Sequence, residues 1–147
     1  MKQKVDIVYG NLDYVRRNNI NKIVRYWKSN TFKTNSFNIG WSPPHPTFFV
    51  RKTIYSRYGN FNLNNGNSSD FELMFRFLEK NKISSYYLNK TLITMRTGGQ
   101  SNKNITEIVK QNLRILQILG IQFNLFKIIK FLVYKLINRI KQLIILK

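Results

Sequence analysis

SSDFELMFRFL, residues Ser68 to Leu78, is the stretch whose reading decides the fold class. Phe71, Met74, Phe75 and Leu78 recur at helical spacing and predict one buried helix face. Ser69 and Glu72 have the spacing of a capping box. The Ser69 hydroxyl is then expected to bond the Glu72 N–H, and the Glu72 carboxylate the N–H of Ser69. Asp70 falls in the first turn, where free N–H groups and the helix dipole favour an anion. An acid there either takes a proton in a site or merely helps to cap the helix, and the pattern fits both. Asp70 and Glu72 point about 200° apart on a helix, so they do not make a metal pair.

Upstream lies Trp41-Ser-Pro-Pro-His45-Pro-Thr-Phe-Phe-Val50, which sets the only histidine between two prolines before an apolar strand, Thr47 to Val50. The flanking prolines stiffen the backbone around His45, and the ring would orient a substrate hydroxyl, approach a metal or serve as a structural histidine. Trp41 would stack on a sugar ring or plug the core. Lys52 to Tyr58 reads as a helix with Ile54, Tyr55 and Tyr58 on one side, stopped by Gly59. Earlier, Val5 to Tyr9 reads as a strand, Gly10-Asn11 as a turn and Leu12 to Val15 as the returning strand. Asn21 to Trp27 fits a short helix or an extended stretch, and Asn30 to Trp41 a polar loop.

Downstream, Ile83 to Leu88 and Leu92 to Arg96 read as two strands, and Ile105 to Leu119 as a helix ended by Gly120. In the loop Thr97-Gly98-Gly99-Gln100-Ser101, the glycines would let backbone approach a phosphate, with Arg96 as counter-charge; a plain turn is the alternative. Ile121 to Lys147 has Lys127, Lys130, Lys135, Asn138, Lys141 and Gln142 on one half of a helical wheel. Ile129, Leu132, Val133, Leu136, Ile137, Ile140, Leu143 and Ile144 share the other. Its basic residues argue against a membrane crossing. It reads as a basic amphipathic helix on an anionic membrane surface, or as a helix packed on the domain or a partner.

These elements give an α/β chain: a domain over residues 1–120, then the amphipathic segment 121–147. With no cysteine there is neither a disulfide frame nor a thiolate metal site. Met1 to Val8 is short, mixed and charged, so no signal peptide is expected. The net charge of +19 invites an anionic partner. The 19 Asn, 18 Ile and 16 Lys, with no Ala, suggest that coding bias supplies part of the lysine. The aromatics sit mostly on apolar faces rather than among Lys and Arg, which argues against nucleic acid. Only six acids are present, so an acid–base role has few candidates.

Taken in order, these segments resemble the C-terminal half of family 2 glycosyltransferases, inverting enzymes of the GT-A fold that build bacterial surface polysaccharides and lipid-linked glycans. The likeness runs from Val5-Asp-Ile-Val-Tyr9-Gly10 through GWSPPHPTFFVRKTIYSRYGNF (Gly40 to Phe61) and Ser68 to Leu78. It continues to YLNKTLITMRTGGQSN (Tyr87 to Asn102), covering about residues 5 to 118. The resemblance implies the C-terminal part of a GT-A-like mixed sheet with flanking helices. It makes Asp70 the general base, Trp41 and His45 part of the acceptor wall, and Arg96, Gly98, Gly99 and Ser101 a loop near the diphosphate or acceptor.

It also implies a nucleotide-sugar donor, a hydroxyl acceptor and a cytoplasmic site at the inner face of the cell membrane. Such enzymes carry a nucleotide-binding half ending in Asp-x-Asp, which holds Mg²⁺ or Mn²⁺. This chain has no Asp-x-Asp and reads Tyr9-Gly10-Asn11 where relatives often read Tyr-Gly-Asp. The expectation is therefore an acceptor-side fragment without metal ligands of its own. A non-catalytic basic module binding anionic membrane or nucleic acid, or an inactive truncated remnant, are the competing readings.

Overall fold

The computed structural model describes residues 5–98 and 104–144. Four strands form one mixed sheet: β1 (Ile7–Arg16), β2 (Asn19–Trp27), β3 (Phe49–Val50) and β4 (Ser85–Arg96). Strand β4 runs parallel along one edge of β1. The other edge of β1 pairs antiparallel with β3 at Ile7 and Val8 and with β2 from Leu12 onward. Helices α1 (Lys52–Tyr58), α2 (Ser69–Phe75), α3 (Ile105–Ile118) and α4 (Leu125–Ile144) complete the α/β architecture.

The core is aromatic. Phe37 is fully buried, with its ring edge-on to Trp41, Phe71 and Phe75 at centroid separations of 5.5 to 5.6 Å. The predicted face of α2 is buried, and a π-turn over Arg76–Lys80 extends it so that Phe77 and Leu78 are buried as well. Helix α1 ends as expected at Gly59, whose φ of +86° suits a residue without a side chain.

Several local expectations are corrected. Gly10-Asn11 is no turn: β1 runs straight through it, and the chain reverses at Arg17-Asn18. A Cβ on Gly10 would come within 2.7 Å of the Lys90 carbonyl and 2.6 Å of the Leu92 side chain, so glycine marks close strand approach. Asn21 to Trp27 is extended, within β2. Thr47 lies in a 3₁₀ turn over His45–Thr47, leaving β3 only two residues, and Phe49 is exposed. The two strands expected between Ile83 and Arg96 are one continuous strand, β4, because pairing with β1 carries through the Asn89-Lys90 step with register shifts.

The capping box does not form either. The Ser69 hydroxyl turns back to the carbonyls of Asn62 and Gly66, at 2.8 and 2.7 Å. Glu72 instead accepts from Arg76 at 2.8 Å. Arg76 also donates to the carbonyls of Tyr58, Gly59 and Asn60, tying the end of α1 to α2. A guanidinium with three carbonyls and a carboxylate in reach outcompetes one backbone amide for Glu72.

Candidate functional site

Asp70 stands in the first turn of α2, partly buried, and its Oδ1 accepts from the Phe71 N–H at 2.7 Å. Helix α2 packs against the His45–Thr47 turn. His45 is held there by Pro44 and Pro46, and its ring meets Phe61 edge-on at 5.6 Å. Phe61 precedes Asn62, whose carbonyl lies beside the Ser69 hydroxyl. The segment around residues 61–62 therefore joins the histidine turn to the start of α2. The turn is fastened to the sheet by Thr47: its hydroxyl donates toward the Gly10 carbonyl at 3.0 Å and accepts from the Gly10 N–H at 3.2 Å.

Trp41 sits one layer deeper, its ring against Tyr9, Phe32 and Phe37 at 5.6 to 6.3 Å. Its principal contacts are with the core, and it remains partly exposed. Arg96 and Gly98 lie elsewhere. Arg96 pairs with Val15, five residues along β1 from Gly10, which is roughly 16 Å at strand rise. The Thr97 N–H closes this end on the Val15 carbonyl at 2.9 Å, and Gly98, with φ +96°, faces Arg17. Gly99 and Ser101 lie outside the described residues.

Between these two ends, the sheet carries a polar network that the sequence reading passed over. Asn11 is buried. Its amide Nδ2 donates to the Tyr26 hydroxyl at 2.9 Å and to Asn89 Oδ1 at 3.2 Å. Its Oδ1 accepts from the Ser29 N–H at 2.9 Å and from the Tyr87 hydroxyl at 2.8 Å. Next to it, the Tyr9 hydroxyl donates to the Asn30 carbonyl and accepts from the Phe32 N–H at 2.7 Å. Burial pushes the Tyr9 pKa up to about 12, against the Phe32 hydrogen bond, with Tyr87 adding to the rise. Burial raises Tyr87 too, and Asp13, which a Thr91 hydrogen bond partly offsets. These tyrosines are hydrogen-bonding posts rather than proton acceptors near neutral pH. Their alternation along the strands was the signal: Tyr9 and Asn11 in β1, Tyr87 and Asn89 in β4, each pair two residues apart on one face.

Among the described residues no group of three or more His, Cys, Asp or Glu is gathered to hold a metal ion. Glu72 is held by Arg76, Glu107 by Lys110, and Asp6 lies against Arg51. These acids are spread over separate elements, so the residues present do not fit a divalent cation. No protein-family model, curated protein or solved structure matches the chain.

Proposed function

We propose that these residues form the acceptor side of an inverting glycosyltransferase of the family 2, GT-A type. In this reading Asp70 removes the proton from an acceptor hydroxyl as its oxygen attacks the anomeric carbon of a nucleotide-activated sugar. The new C–O bond forms as the bond to the nucleoside diphosphate breaks from the opposite face, and the diphosphate leaves with the electron pair. The observation that carries the reading is the packing of α2, with Asp70 in its first turn, against the turn that holds His45. His45 would orient the acceptor hydroxyl. Trp41 would support that wall from behind, since its ring packs against Tyr9, Phe32 and Phe37.

Arg96 and Gly98, at the far end of β1, would meet a long acceptor or the diphosphate rather than the reacting hydroxyl. The sequence holds no Asp-x-Asp. Nucleotide and Mg²⁺ or Mn²⁺ binding are therefore assigned to residues outside these 147, and no step is routed through this chain's own acids to a metal. The acceptor would be a glycan or lipid-linked glycan, and the protein would work peripherally at the inner face of the cell membrane. Among the described residues, no helix is long and apolar enough to cross a membrane.

The test is Asp70→Asn in a chain completed with a nucleotide-binding half. Transfer from nucleotide-sugar to a hydroxyl acceptor should fall by about 10² to 10⁴, with circular dichroism and melting unchanged. Undiminished transfer overturns the assignment of the base. A second reading, a basic module without catalysis, draws on the exposed apolar face of α4. It predicts membrane binding with no transfer even in the completed chain.

A further inference from the structure

Helix α4 is seated on the domain by its more polar side. Phe131 is buried, and Lys135, one turn on, donates to Asn112 Oδ1 of α3 at 2.6 Å. Gln142 accepts from the Arg25 Nε of β2 at 2.6 Å. Gly40, with φ +80°, brings the 37–40 turn so close that a Cβ there would lie 2.9 Å from the Phe131 carbonyl. With that stripe occupied, the apolar half points outward. Leu125, Phe126, Ile129, Val133, Leu136 and Leu143 are each at least half exposed. On α3, Val109 and Leu113 flank Asn112 and are exposed as well.

The helix has 20 residues, so the strip is about 30 Å long, more apolar surface than a monomer ordinarily leaves to water. By helical spacing, Lys130 and Lys141 border it on one side and Arg139 on the other, and α4 contains no acid. A second copy is a poor occupant. A two-fold contact would set these same cations against one another on chains of net charge +19. A bilayer with anionic lipid answers both features: acyl chains meet the strip, and the flanking cations reach the headgroups.

We propose that α4 lies in the plane of an anionic membrane surface and holds the domain there through the Phe131–Lys135–Gln142 stripe. This deepens the peripheral placement given above and rests on that placement, not on the transfer chemistry, so loss of sugar transfer leaves it standing.

The test uses the full chain with phosphatidylglycerol–phosphatidylcholine vesicles and with phosphatidylcholine vesicles alone. Binding should need the anionic lipid and weaken with salt. Val133→Glu with Leu136→Glu, both at exposed positions, should cut binding at least tenfold while leaving the melting curve unchanged. Lys130→Gln and Lys141→Gln should each weaken it about fivefold. In Phe126→Trp the new indole emission should shift to the blue on vesicles. Equal binding to both vesicle types, no binding, or an unshifted indole overturns the proposal. So does a salt-sensitive DNA complex or a concentration-dependent dimer that forms in place of vesicle binding.

Discussion

Helices α2 and α4 are both amphipathic, yet they meet the protein in opposite senses. Helix α2 buries Phe71, Leu73, Met74 and Phe75 and leaves its polar residues toward the surface. Helix α4 rests on Phe131, Lys135, Asn138 and Gln142 and turns leucine and isoleucine to solvent. An apolar stripe therefore says that a helix has an interface, but not that the interface lies inside the same domain. Helix α2 is short and boxed in by the His45 turn, α3 and the Phe37 ring, which meets Phe71 and Phe75 edge-on, so its apolar side has one place to go. Helix α4 adds only Phe131 to the aromatic core around Phe37 and covers it with its polar side.

The sharpest way to break this comparison is to truncate one leucine on each helix. Leu73→Ala removes a fully buried side chain and should cost about 3 to 5 kcal/mol in chemical denaturation. Leu136→Ala, at 61% exposure, should change stability by less than about 0.5 kcal/mol in lipid-free buffer. A large loss at Leu136 would mean that its face is covered within the protein.

The next effect in size concerns the seat of α4. Gly40→Ala places a methyl against the Phe131 carbonyl at a backbone angle of +80°, and should cost about 2 kcal/mol. Hydrogen exchange should speed up along α4 and leave α2 protected; unchanged exchange in α4 would show that the close approach does not hold it.

A further effect, smaller than that at Gly40, is electrostatic. Burial lowers the pKa of Lys135 below its ordinary 10.5. Between the lowered value and 10.5 the unfolded chain binds more protons than the folded one, so stability from this group rises with pH across that window. Lys135→Met should be the more stable protein below the window by about 1 kcal/mol, with the gap narrowing as pH climbs through it. A gap that widens with pH would contradict a buried, desolvated ammonium.

Much of the candidate site was legible locally. The spacing of Phe71, Met74, Phe75 and Leu78 identified α2 and its buried face, and Asp70 does stand in its first turn. Gly59 and Gly120 ended their helices as read, each at positive φ. What escaped depended on partners distant in sequence. The Ser69–Glu72 spacing was right for a box, but Arg76 and the Asn62 carbonyl took the two side chains. Gly10-Asn11 has turn composition, and only the approach of Thr47 and β4 shows why it is mid-strand. Sequence spacing also carried no measure of the separation between Arg96 and the histidine turn, which hang on β1 five residues apart.

The sequence by itself determined the main helices, their apolar faces, and the places of Asp70 in a first turn and His45 ahead of a strand. These follow from periodicity and turn chemistry within a few residues, where steric limits act alone. Only the tertiary structure decided that one strand runs through Gly10, that Asn11 gathers Tyr26, Tyr87 and Asn89, and that α4 docks by its polar side. Those outcomes turn on which surface is free when elements far apart in the chain meet, and short-range patterns carry no record of that competition.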